Sequence, residues 1–384
     1  MRLSACIASR DNNLNLLRIV AALAVLIGHS FALLVQPEPW GALTGMTPGS
    51  VAVDVFFIVS GMLVTASLMS RQSVIDYVCA RVLRIFPALI CMLLLTVFVL
   101  GPCFTSLSLY DYFSTAKTWQ YLLKCGSLLF GMAYKLPGVF AHNPYPDAVN
   151  GSLWTMPNEI KMYLLLLVFW CGLALWQKKR LQILKYLLPA LTLLAAGFVF
   201  VRHFYLHDDS QFTRLLFMFF SGASLFVLKE KLVLARGFLY PLLALVLLTA
   251  FIDKSVFFAI YTLAIAYLVV CFAYLPAGWI RRYNALGDYS YGVYIYAFPV
   301  QQAIAALFPG IAVWSMVLLS AFVTISLAIF SWHKIEKPAL ALKSVAVMRL
   351  QAYLPRLLPR RAPEFNAVVT CTHCGAATSC VCRS

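Results

Sequence analysis

Ten stretches of the chain are dominated by apolar residues, at 16–35, 51–69, 85–101, 160–176, 186–201, 212–228, 238–252, 256–275, 289–308 and 312–331. Their lengths approach what one helix needs to cross the hydrocarbon core of a bilayer, roughly 20 residues. The strict alternation of a membrane barrel strand is missing. The pattern predicts an all-α polytopic membrane protein with about ten transmembrane helices. An eleventh stretch, WQYLLKCGSLLFGMAYKLPGVF at 119–140, is less uniform. It reads as an interfacial or re-entrant helix in a long outer loop, because a crossing there would invert every later segment. No internal repeat is visible, which argues against an inverted-repeat transporter.

Composition supports the membrane reading: 62% of the 384 residues are hydrophobic and only 11% charged, more apolar surface than one soluble globule can hide. The net charge of +16 raises the question of nucleic acid. The cations, however, sit in short clusters between apolar blocks, the signature of the positive-inside rule. With the N-terminus (Arg2, Arg10) in the cytoplasm, the inner connections hold Arg71, Arg81 and Arg84, then Lys178, Lys179, Arg180 and Lys185, then Lys229, Lys231 and Arg236, then Arg281 and Arg282. Both termini are then predicted to be cytoplasmic, the bilayer is the partner, and no nucleic acid is expected. Ser30-Phe31-Ala32 loosely suits a signal peptidase, but a histidine just before it is unusual, so the segment reads as a retained first helix.

Past residue 340 the character changes. Residues 341–384 form a basic tail that suits the anionic inner leaflet or a disordered state. It ends in Cys371-x2-Cys374 and Cys380-x-Cys382 with His373 nearby, a spacing that is not a common zinc module, so no metal site is predicted. Cys103 and Cys125 could pair in an oxidising compartment, but their spacing does not demand it.

Polar residues inside the apolar blocks are the candidate chemistry, since they are costly there. Arg18 and His29, eleven residues apart, fall within about 20° of one line on a helix and about 16 Å apart along it. That places a cation near the inner mouth and a titratable base further out. Arg81 and Arg84, three apart on one helix face, suit a phosphate-rich ligand or, equally, anchoring at the membrane boundary. In VNGSLWTMPNEIKMYLL at 149–165, Trp154 is a natural interface residue and Glu159 opens the fourth span. Glu159 could orient a histidine, bind a hydroxyl, or be a solvated helix-start acid. Asn150-Gly-Ser152 matches a glycosylation sequon but reads as a turn.

In this order along one chain, Arg18-x10-His29, VAVDVFFIVSGMLV, Arg81-x2-Arg84 with IFP, PGVF…NPYP…VNGSLWTMPNE, LGDYSYGVYIYAFP and HKIEKPAL give a region, about 12–340, that resembles the acyltransferase family 3 of integral membrane proteins. TMPNE departs from the family's usual pattern, so that Asn158 leaves Glu159 as a single acid. Residues after the last helix are too few for the soluble domain that many relatives carry.

The resemblance implies a multi-pass enzyme of the plasma (inner) membrane, with residues 1–340 as its acyltransferase domain. Such an enzyme moves an acyl group, usually acetyl, from cytoplasmic acyl-CoA to a hydroxyl of a sugar or glycan, free or lipid-linked, at the far side. No cofactor is held permanently; acyl-CoA is a substrate. Arg18, Arg81 and Arg84 would hold the phosphates of coenzyme A. His29 would act as general base or form an acyl-histidine. Glu159, with Asp54 and Trp154 in support, would orient or stabilise it. The rival reading from another class is a transporter or flippase for a glycan or lipid-linked sugar.

Overall fold

The computed structural model describes residues 1–9, 11–208 and 210–353. The terminal Cys/His cluster and Arg10 lie outside the described residues. Among those described, regular structure is helical, with only isolated β-bridges. Each of the ten apolar blocks coincides with a helix: α1 Leu14–Leu33, α2 Pro48–Arg71, α3 Val74–Leu95, α4 Met156–Gly172, α5 Arg180–Val201, α6 Gln211–Val227, α7 Arg236–Thr249, α8 Lys254–Tyr274, α9 Ser290–Leu307 and α10 Val313–Ser331. Seven helical segments, those containing α1 to α5, α8 and α10, are long and apolar enough to cross a membrane. Helices α6 and α7 are apolar but shorter, and α9 is buried along nearly its whole length.

Starts are set by local chemistry. Thr47 caps α2 ahead of Pro48, Ser73 caps α3, Ser210 caps α6 and Asp253 caps α8, each accepting backbone N–H bonds that the first turn leaves open. The 119–140 stretch is not one helix: Ala116–Ser127 is helical, and the chain then runs irregularly to Asn150. Cys103 and Cys125 are free thiols, the first exposed and the second buried.

At the centre, α2 and α6 run parallel and cross backbone to backbone. A Cβ added at Gly61 would lie 1.9 Å from the Phe219 carbonyl oxygen, and one at Gly222 would lie 1.9 Å from that of Ile58. Only glycine permits that approach. Helix α1 packs beside α2, and α9 and α10 close the other side of α1.

The bundle has two chemically distinct ends. At the proximal end, the Met1 ammonium donates to the Leu234 carbonyl (2.9 Å), and Asn13 Nδ2 donates to the Phe272 and Pro276 carbonyls. Here also lies α11, Lys343–Tyr353, the first part of the segment read as tail; its Lys343 pairs with Asp76 at 2.9 Å. Met1 and α11 therefore share one end. The distal end gathers the starts of α2, α6 and α8 and the 105–150 connection, which Gln302 pins by donating to the Tyr145 and Ala148 carbonyls.

Candidate active site

Arg18, Arg81 and Arg84 line one cleft between α1, α2, α3, α4 and α9, about 760 Å³ including its open mouth. The sequence placed the two α3 arginines at a span boundary. Helix α3 begins at Val74, eleven residues before the apolar block, so both lie two to three turns inside it. Only 16% of the Arg84 side chain is exposed, too little for an anchor that reaches for headgroups.

Burial of Arg18 and Arg84 is compensated by two acids that sequence reasoning did not select. Asp288, in the turn before α9, accepts from Arg18 Nη1 and from Arg84 Nη2 (2.6 Å) on one oxygen, and from Ser290 Oγ on the other. Glu336, after α10, accepts from Arg84 Nη1 at 3.0 Å and from Ser331 Oγ at 3.1 Å. Arg84 also lies over the Tyr291 and Trp332 rings at 5.5 and 5.7 Å. Burial alone would push the Asp288 carboxyl up. The Arg18 and Arg84 charges outweigh it and hold the group below the ordinary carboxylate range.

Arg81 differs. Its guanidinium lies 5.7 Å from the Tyr163 ring centroid, its buried Nε has no hydrogen-bond partner, and no carboxylate pairs with it among the described residues. It is the cleft's uncommitted cation.

Glu159 shares this cleft with the three arginines. A tight turn, Gly151–Thr155, precedes α4, so Glu159 stands inside the bundle rather than as a solvated helix start. It accepts from Tyr163 OH and from Ser60 Oγ (3.3 Å). No bond joins it to His29. Asp54 is likewise elsewhere: fully buried on α2, it accepts from Tyr261 OH at 3.0 Å and pairs with Arg214 at 3.5 Å. Trp154 is half-buried against the core and does not line the cleft.

The residue beside His29 is Ser152, whose Oγ lies 3.5 Å from Nδ1; the Phe298 ring meets the imidazole edge-on at 5.2 Å. Ser152 is held in turn. Asn150 accepts from its N–H and anchors to the Ile295 carbonyl at 3.0 Å, while Tyr294 OH donates to the Ser152 carbonyl at 2.8 Å. Thr155 Oγ1 meets the same Tyr294 hydroxyl at 2.6 Å. Since Thr155 and Tyr294 also line the arginine cleft, the Asn150–Thr155 turn links that cleft to the surroundings of His29. The turn reading of Asn150-Gly-Ser152 agrees with this.

Fold and site together define a multi-pass helical membrane protein with a cleft of three arginines, two of them paired with acids, and a histidine further along the first helix. Residues 11–333 match the acyltransferase family 3 domain, described as "Acyltransferase domain", and the chain belongs to that family. It is similar to the "O-acetyl transferase" of Shigella phage Sf6, 31% identical over 346 residues that cover 85% of this chain and 96% of that protein. It is also similar to "Nodulation protein 10" of Rhizobium leguminosarum bv. viciae, 28% identical over 378 residues, covering 88% and 95%. No solved structure matches it.

Proposed function

We propose that the protein is a membrane-bound O-acetyltransferase that takes acetyl from cytoplasmic acetyl-CoA and passes it to a hydroxyl of a sugar or glycan on the extracytoplasmic side. The proximal end faces the cytoplasm of an inner-membrane protein with ten crossings and cytoplasmic termini. Residues 1–340 form the acyltransferase domain, and Lys343–Tyr353, the described start of the tail, lies at the inner leaflet. The observation that carries this reading is the convergence of Arg18, Arg81 and Arg84 on one proximal cleft, with His29 about 16 Å further along α1 by helix rise. The similarity to a protein named O-acetyl transferase supports the acetyl donor.

Coenzyme A is phosphate-rich at one end and carries its thioester at the end of a long arm. Guanidiniums suit the phosphate end, and the arm runs past Thr155 and Tyr294 towards His29. Ser152 at Nδ1 fixes the ring and leaves Nε2 for chemistry. Neutral Nε2 takes the proton of the acceptor hydroxyl as its oxygen attacks the thioester carbonyl carbon. The C–S bond breaks, the new ester forms, and the imidazolium returns its proton to the leaving thiolate. An acyl-histidine route would use the same residues in two displacements; trapping labelled protein without acceptor would favour it.

Purified protein supplied with acetyl-CoA and a glycan extract tests the reading. Release of the coenzyme A thiol coupled to labelling of the glycan supports it. A glycan or lipid-linked-sugar transporter would consume no thioester.

A further inference from the structure

A second polar cleft opens at the distal end, on the far side of α2 from α1, where α5 ends and α6 and α8 begin. It encloses about 890 Å³ including its mouth. Its described lining carries three cations, Arg202, Arg214 and Lys254, against one acid, Asp208. Asp208 pairs with Arg202, while Arg214 is held from behind by buried Asp54 and by Gln211 Oε1 at 2.8 Å. Arg202 and Arg214 each keep a buried Nε with no hydrogen-bond partner, and Lys254 is exposed with no carboxylate partner among the described residues. Hydroxyl side chains fill much of the remaining wall, and the rings of His203 and Phe258, stacked at 3.8 Å, contribute to it.

We infer that this distal cleft binds an oxyanion-bearing saccharide, through a phosphate or carboxylate held by Arg202, Arg214 and Lys254. Guanidinium pairs suit such oxyanions, while hydroxyl and aromatic walls suit a sugar ring. The inference rests on the acyl-transfer reading for its biological sense, because it makes the cleft a seat for a non-reacting part of the acceptor on the extracytoplasmic side. Buried Asp54 then has work that does not involve His29: it fixes Arg214 at the cleft floor.

The test is binding to the full-length protein in detergent, with no acyl donor present. Glucose 1-phosphate, glucuronate and glucose serve as probes, and the unfolding midpoint is followed against probe concentration. A rise with either anionic sugar and none with glucose supports the site. Response to only one of the two tells phosphate from carboxylate. Arg202→Gln/Lys254→Gln should weaken that response at least tenfold, while Arg81→Gln in the proximal cleft should leave it intact. If the double variant does not fold, Lys254→Gln alone, which removes an exposed charge, should still weaken it several-fold. No response to either anionic sugar, an equal response to glucose, or an unchanged response in the folded variants overturns the inference. Anion binding without any acetyl-CoA consumption would defeat the proposed function alone; consumption without anion binding would defeat the distal site alone.

Discussion

Replacing Asp288 by asparagine probes the proximal cleft most deeply, because one carboxylate there balances two guanidiniums from two helices. The asparagine is nearly isosteric, so the loss is of charge rather than of packing. Arg84 keeps Glu336 at 3.0 Å, whereas Arg18 has no second carboxylate among the described residues. The substitution therefore strands one mostly buried cation, whose side chain is 20% exposed. Removing one partner of a buried ion pair costs about 3–5 kcal/mol, and partial exposure of Arg18 puts the lower end of that range, about 3 kcal/mol, as the expectation. Thermal or denaturant unfolding of the detergent-solubilised variant measures it. The pH dependence has a fixed sign. The folded Asp288 carboxyl is held below its unfolded value of about 3.9. Its contribution is complete above the unfolded value and is lost as pH falls through the lower, folded one. The gap between Asp288→Asn and wild type should close in strong acid, where the Asp288 carboxylate is itself protonated. A gap below about 1 kcal/mol at pH 7, or one that persists in strong acid, would refute the bridging role.

Three further expectations follow from the geometry. Gly222→Ala puts a methyl carbon 1.9 Å from a backbone oxygen, which forces α2 and α6 apart and should cost at least the 1–3 kcal/mol typical of overpacking, roughly; Gly197→Ala, with open space around its Cβ, should be neutral or stabilising in the same melt. Ser152→Ala frees His29 Nδ1 and should lower kcat on the order of tenfold with donor KM little changed, because the ring is mispositioned rather than removed; steady-state kinetics with acetyl-CoA decides, and an unchanged kcat would dismiss Ser152. Arg81→Gln removes the uncommitted cation, so donor KM should rise about tenfold or more, the size of a charge-assisted hydrogen bond, while stability barely moves; the reverse pattern would make Arg81 structural.

Much of the fold was legible because membrane helices announce themselves by length: every apolar block of the sequence lies on a helix. Boundaries were less legible. Polar first turns such as Val74–Arg84 and Gly151–Glu159 carry little hydropathy, and for that reason Arg81, Arg84 and Glu159 were read as boundary residues when they stand inside the bundle. The three arginines were readable as a set only through the family resemblance, since the spacing of Arg81 and Arg84 suits boundary anchoring equally well. Their counter-ions were not, because Asp288 and Glu336 stand more than two hundred residues away in sequence from Arg84. A usable signal did exist: the chain has only 14 acids, and these two stand in the quoted motifs, Asp288 directly before one apolar block and Glu336 shortly after another. Ser152 left no such trace, since a serine in a turn is unremarkable until the fold brings it to His29.

Acyl transfer through the first-helix histidine is tested most directly in membranes containing matched amounts of wild type or His29→Ala, supplied with labelled acetyl-CoA. Label should enter a glycan with wild type and fall to background with His29→Ala. Equal labelling by both would contradict a catalytic His29.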